Sequence, residues 1–275
     1  MKMKVFFYFF ILLFIVACEL EKEIDYKTIY ERDRLIVHGY ISTQEGVQVV
    51  IKKSIPPNDI DKDDDVAGVV AKVYCDNVAV GELQPIGTGQ YSLPFDSLWK
   101  RNGSYKVVVE ANGFEKIQSD EQQLPEKVAT DSVKVIFDYS SNMNNLIMWF
   151  TNNQKNRSYY TNYLIYLDGE VENIFYSEDE AKFDFGGLLR DLPLGVNAVE
   201  YQFRNRFDSI KVELYNLSPD FSKFLYSLDQ YEFTNQDPFF EQTYPVYSNF
   251  DKGYGFFGAY SVNETIIFNH EYYEK

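Results

Sequence analysis

The sequence predicts a mainly β protein, with a β-sandwich in its first half and a second β-rich domain that carries one amphipathic helix. Three observations predict it. Short runs of alternating apolar and polar residues, parted by turn residues, begin at Leu35 and recur to about residue 125. A second set of such runs begins after "QLPEKVATD". Between residues 218 and 231 the period changes once, from two to that of a helix.

Residues 1–17 precede all of this. Lys2 and Lys4 open the chain, an apolar block follows from Val5, and Ile15, Val16 and Ala17 lead to Cys18. A charged start, a short apolar stretch and a small-residue exit make a secretory leader. At about 1.5 Å per residue, Val5 to Ala17 reaches about 20 Å as a helix, short of the roughly 30 Å of bilayer hydrocarbon. Ile15-Val16-Ala17-Cys18 resembles the lipobox of bacterial lipoproteins. That resemblance implies diacylglycerol on the Cys18 sulfur, cleavage before Cys18 and acylation of the new amine. More than one acyl chain makes a stable anchor, because each buried CH₂ contributes about 0.8 kcal/mol.

Residues 18–31 read as an acidic tether. Glu19, Glu21, Glu23 and Asp25 follow the cysteine closely, and an acidic run beside a terminus is ordinarily a solvated spacer. The run also resembles the signal that sends Bacteroidota lipoproteins to the outer face of the outer membrane.

The sandwich is expected over residues 32–125. "LIVHGYI" puts Leu35, Val37 and Ile41 on one face, and "VQVVIKK" and "YKVVVEA" repeat the alternation. "PPND", "GTG", "KRNG" and "ANGF" supply turns. The run from "GTGQYSLPFDSLW" to "ANGF" is similar in style to immunoglobulin- and transthyretin-like sandwiches of exported proteins. In "GVVAKVYCD", Cys75 falls on the face of Val69, Ala71 and Val73 and is read as a small buried hydrophobe. With Cys18 lipidated it has no partner for an intramolecular disulfide.

The second domain is expected over residues 126–275, with "SVKVIFDY", "LIMWFTN" and "YYTNYLIYLDG" as strands. The helix follows near 219–231: Ser218 as N-cap, Pro219 at its first position, Asp220 in its first turn. Phe221, Phe224, Leu225, Leu228 and Tyr231 form its apolar stripe, read as core. In the closing stretch Gly253, Gly255 and Gly258 allow positive φ or close packing beside Phe256, Phe257 and Tyr260. Most of these aromatics are expected inside. The functional alternative is an exposed platform of Tyr244, Tyr247, Phe250, Tyr254 and Phe256.

Charge narrows the function classes. The formal net charge is −16, and removal of residues 1–17 takes away Lys2 and Lys4 and no acid, which leaves −18. Such a surface disfavours nucleic acid. Of the two histidines, His38 and His270, neither belongs to an HExxH motif, and the chain has no GxSxG or CxxC. No catalytic residue and no cofactor are assigned. A looser calcium site on Asp59, Asp61 and Asp63 is weighed against a solvated loop. It is not an EF-hand, because Asp64 stands where the loop needs glycine and Val70 where it needs glutamate.

Together with the lipobox, "LIVHGYI", "LPEKVATDSV", "SLDQYEFTNQDPFFEQTYPVYSN" and "PVYSNFDKGYGFFGAYS" resemble a Bacteroidota lipoprotein family, domain of unknown function 4249. The resemblance implies an accessory role beside a TonB-dependent outer-membrane transporter, without enzymatic activity. The alternative is a surface hydrolase, carbohydrate-active, with a carboxylate pair in the second domain. Ser97, Ser132 and Ser209 each follow an aspartate and precede an apolar residue. These triplets resemble the Bacteroidota O-glycosylation acceptor.

Overall fold

The computed structural model describes residues 32–56, 63–95, 99–100, 102–138, 143–153, 159–167, 186–190, 194–203, 209–236 and 244–268. The leader, Cys18, the tether, Asp59, Asp61, Ser97 and His270 lie outside them. The chain divides into two units, Met1–Asp33 with Ile55–Asp63, and Arg34–Ser54 with Asp64–Lys275. Among the described residues the first carries no helix or strand. The described residues of the second carry sixteen strands and one helix.

The protein is mainly β, with several sheets and a single helix among the described residues. In chain order the strands are β1 (Leu35–Ser42), β2 (Gly46–Lys53), β3 (Val70–Cys75), β4 (Val78–Glu82), β5 (Gln84–Gly87), β6 (Gln90–Leu93), β7 (Ser104–Glu110), β8 (Ile117–Gln118), β9 (Gln122–Gln123), β10 (Thr130–Asp138), β11 (Met143–Asn152), β12 (Tyr159–Leu167), β13 (Gly186–Arg190), β14 (Gly195–Phe203), β15 (Ser209–Leu217) and β16 (Tyr254–Phe268). Helix α1 spans Pro219–Gln236. The expected strands fall where the alternation places them. The hairpin between β3 and β4 turns on Asp76 and Asn77, both at positive φ, as a two-residue type I′ turn requires.

Three sheets result. Eight strands run in the order β13-β12-β15-β16-β1-β2-β6-β5, three in the order β10-β11-β14, and a five-stranded sheet runs β4-β3-β7-β8 with β9 beside β7. Period-two alternation then sorts the side chains. Leu35, Val37 and Ile41 of β1, Val49 and Ile51 of β2, and Phe257 and Ala259 of β16 meet Ala71, Val73, Val107 and Val109 of the five-stranded sheet in one core. Val135, Leu146, Met148 and Phe150 meet Ile210, Val212, Leu214 and Ile267 in another. Burial of each such side chain contributes roughly 1.5–3 kcal/mol. Cys75 lies buried in the first core as a free thiol.

The expected boundary between residues 125 and 126 does not part the sheets. Strand β16 runs parallel to β1, with Val37 opposite Gly255 and His38 opposite Phe256, and antiparallel to β15 on its other side. One sheet therefore holds strands from both expected domains, and β16 feeds both cores. Gly255 makes the parallel join feasible. Its φ is +124°, and a Cβ there would collide with the Val37 carbonyl oxygen. Asn249, buried, completes the join. Its side chain accepts from the Phe257 N–H at 2.9 Å and donates to the Phe257 carbonyl at 2.8 Å.

Candidate functional site

The face of the eight-stranded sheet that points away from the two cores is where α1 packs. Even-numbered β1 residues, His38 and Tyr40, project there beside Phe256 and Gly258 of β16. Ser218 starts the helix as its composition predicts. The Ser218 Oγ accepts from the Phe221 N–H at 3.4 Å and from the Ala259 N–H at 3.2 Å, so the cap also fastens helix to sheet. That hydroxyl donates to Gln122 Oε1 at 2.8 Å, and Gln122 Nε2 donates to Asp220 at 2.8 Å. Burial pushes the Asp220 carboxyl up, but hydrogen bonds from Lys223, Gln122 and Tyr247 outweigh it and hold its pKa below the usual aspartate value. The helix runs five residues beyond its expected end at 231, and there Tyr231 and Phe233 are exposed.

Phe221 and Phe224 descend from α1 onto Phe256. The Phe224 and Phe256 rings stack at 4.3 Å between centroids and 5° between planes, and Phe221 meets Phe256 at 5.0 Å. His38 lies 5.9 Å from Phe224, centroid to centroid. Its residue still reaches solvent, yet the apolar surroundings lower its pKa by desolvation. Tyr40 and Tyr260, 5.2 Å apart, share one acceptor: their hydroxyls donate to Glu45 Oε2 at 2.6 and 3.2 Å. Burial first, and then Glu45, raise both phenols well above the ordinary tyrosine value.

The helix covers only part of this face. Where it stops, the bare sheet continues through β2, β6 and β5, and the step between them is a half-open hollow of about 470 Å³. Phe221 and Phe224 form its helical wall. His38, Val50 and Phe256 line it from the sheet, and Ile86, Gln90 and Tyr91 close it from β5 and β6. Val50 and Ile86 are 40% and 60% exposed. No Asp, Glu, Lys or Arg lines the hollow. The volume lies within the roughly 300–1,000 Å³ of small-molecule sites, which are mostly apolar with a few polar groups.

A second depression, about 320 Å³, is lined by Glu126, Lys127, Val128, Ala129, Asp131, Thr151 and Asn153. It is polar and flanks the start of β10. Thr151 Oγ1 donates to Asp131 at 2.7 Å, which occupies part of its rim.

The five aromatics weighed as an exposed platform divide between the interior and the surface. Phe250 is buried in the first core, and Phe256 is 3% exposed at the foot of the hollow. Phe256 lies under Phe221 and Phe224 of α1. Tyr244 and Tyr254 are exposed, the latter with the Arg34 guanidinium 5.3 Å from its ring. Tyr247 is half-buried beside α1, where its N–H donates to Ser227 Oγ at 2.7 Å and Lys223 lies 5.3 Å from its ring. Its hydroxyl is pushed up to about 12 by burial and the Asp220 charge. Asp63 is exposed and lies in the first unit. Its neighbours Asp64 and Asp65 both bind Lys52, at 2.9 and 2.7 Å. Ser132 is exposed, opposite Trp149 in register, and Ser209 is half-buried at the start of β15.

Residues 21–266 match the profile of the family described as Domain of unknown function (DUF4249). The chain belongs to the DUF4249 family. The match runs through both expected domains and nearly all of β16, so the DUF4249 unit contains the shared sheet and the hollow. No curated protein matches the chain. Among solved structures, a protein described as membrane anchored, from Corynebacterium diphtheriae, is 11% identical at a TM-score of 0.23, over 68% of this chain and 55% of its own. The DUF4249 chain thus spans little more than half of that protein. A DUF3823 family protein from Parabacteroides merdae ATCC 43184 is 9% identical at a TM-score of 0.22, over 68% of this chain and 91% of its own. Similarity at these scores carries no functional argument. No helix among the described residues is long and apolar enough to cross a membrane.

Proposed function

We propose that this chain is a lipoprotein anchored through Cys18 in the outer membrane, facing outward, and that it serves a TonB-dependent transporter as a non-enzymatic accessory in nutrient uptake. The observation that carries the binding role is the half-open aromatic hollow between α1 and the bare strands of the large sheet. A hollow walled by aromatic rings suits capture, since it offers apolar contact area, and its one imidazole, His38, has no carboxylate or nucleophile beside it among the described lining residues. The lipobox supports the anchor, and the resemblance to Bacteroidota lipoproteins supports the transporter. Tyr244 and Tyr254, both exposed, offer contact area for a partner at low entropic cost.

The test is photo-crosslinking in intact cells from a reactive residue placed at position 244 or 254. The reading expects a cross-link to a TonB-dependent transporter, lost when Cys18→Ala releases the protein from the membrane. Cross-linking that is absent at both positions, or unchanged by Cys18→Ala, overturns it.

A further inference from the structure

The hollow beside α1 selects its ligand by charge and shape, and this inference rests on the binding role just proposed. Its lining has three properties. It is aromatic on the helical side, where Phe221 and Phe224 stand over Phe256. It is aliphatic and exposed on the far side, at Val50 and Ile86. Its polar side chains are His38, Tyr40, Gln48, Gln90 and Tyr91, and of these the amides of Gln48 and Gln90 can each donate and accept at once.

What is missing from the lining matters equally. The chain carries 26 basic and 42 acidic residues, yet among the described residues none of either kind lines this hollow. The one titratable nitrogen, on His38, is held toward its neutral form by the same apolar neighbours. A ligand carrying a full charge would surrender its hydration and find no counter-charge among the described lining residues, the carboxylate bound to Tyr40, Glu45, being already taken by the Tyr40 and Tyr260 hydroxyls. A ligand with many hydroxyls would also find too few partners here, because an unmet polar group costs free energy when buried.

We infer that the hollow binds a neutral, planar, largely apolar ring compound whose polar end carries an amide-like donor and acceptor. The ring stacks against the aromatic wall of α1, where offset or edge-on packing adds about 0.5–1.5 kcal/mol beyond area burial. The polar end meets Gln48 or Gln90. Charge matching decides against the other occupants. A second copy would bring one strongly acidic chain against another, and the acidic tether of residues 18–31 would bring carboxylates to a described lining that holds no cation.

Three indole probes test this on the full chain in nanodiscs, with empty nanodiscs subtracting partition into lipid: indole-3-acetamide, its isosteric anion indole-3-acetate, and the cation tryptamine. The expected result is saturable binding of the neutral amide, at least about tenfold tighter than either ion. Ile86→Glu, at an exposed position outside the cores, should weaken the amide by about tenfold or more while leaving the thermal midpoint unchanged. Equal or tighter binding of an ion, no saturable binding of the amide, or indifference to Ile86→Glu overturns the inference. So does concentration-dependent dimerisation that Ile86→Glu abolishes, or amide binding that arises only after residues 19–31 are deleted. Loss of the transporter cross-link with probe selectivity intact would sink the accessory role alone. Loss of selectivity with the cross-link intact would sink the ligand class alone.

Discussion

Phe224 of the helix lies flat on Phe256 of the last strand, 4.3 Å between centroids and 5° from parallel. The contact is feasible because residue 258 is glycine. A Cβ there would collide with the Phe256 ring, which folds over that position. Helix seating, and with it the helical wall of the hollow, therefore depends on a missing methyl group one strand pleat away.

Gly258→Ala should displace the Phe256 ring and cost about 1–3 kcal/mol, the usual penalty for overpacking. Urea unfolding measures it. In the double variant with Phe256→Leu, the two losses should fall short of their sum, since residues in contact couple. Additive losses would show that the collision is relieved elsewhere.

Asn249→Ala removes both partners of Phe257, an N–H acceptor at 2.9 Å and a carbonyl donor at 2.8 Å, in a buried place. Each unmet backbone group costs about 1–3 kcal/mol, so the variant should lose about 2–5 kcal/mol in denaturant unfolding. Faster exchange of the Phe257 amide would locate the loss. A change within a few tenths of a kcal/mol would mean that water replaces the clamp.

Asp220 gives the helix start a pH dependence with a defined sign. Its folded-state pKa lies below the ordinary value because Lys223, Gln122 and Tyr247 overcome the burial penalty. A depressed carboxylate contributes stability that is present above the unfolded value, about 3.9, and is lost as pH falls through the folded one. The urea midpoint should therefore drop further between pH 5 and pH 3 in the native protein than in Asp220→Asn. Equal drops would assign the acid sensitivity to other groups.

Cys75→Ser should fold and bind as before, with a penalty of about 1–3 kcal/mol where the buried hydroxyl finds no partner. The thiol sits among Ala71, Val73 and Val107 as packing. Unchanged stability with lost probe binding would instead mark a working thiol.

Local pattern was legible in this sequence and long-range pairing was not. The alternation of "LIVHGYI" sends Leu35, Val37 and Ile41 into the core, because a strand's side-chain period is fixed by its pleat. The Ser218 cap was legible for the same local reason. The parallel pairing of β1 with β16 joins residues more than two hundred positions apart, and neither strand announces its partner, so the boundary at 125 and 126 fell inside a shared sheet. The helix stripe reads as core, which holds for Phe221 and Leu225 and fails at Tyr231, which is exposed. Phe224 and Phe221 also wall the hollow, and nothing local could say so, because Val50, Ile86 and Gln90 come from strands outside that stripe. The available signal was small: His38 and Tyr40 on the non-core face of β1, and a glycine beside three aromatics in β16.

The most direct measurement is affinity recovery of the lipidated protein from native outer membranes in mild detergent, with its companions quantified. A TonB-dependent transporter is expected in near-equal amount, reduced severalfold when Tyr244 and Tyr254 are both changed to alanine in a protein that still unfolds at the native midpoint. A protein that emerges alone, and that cleaves a glycan or a peptide, would contradict the account and make this chain a hydrolase.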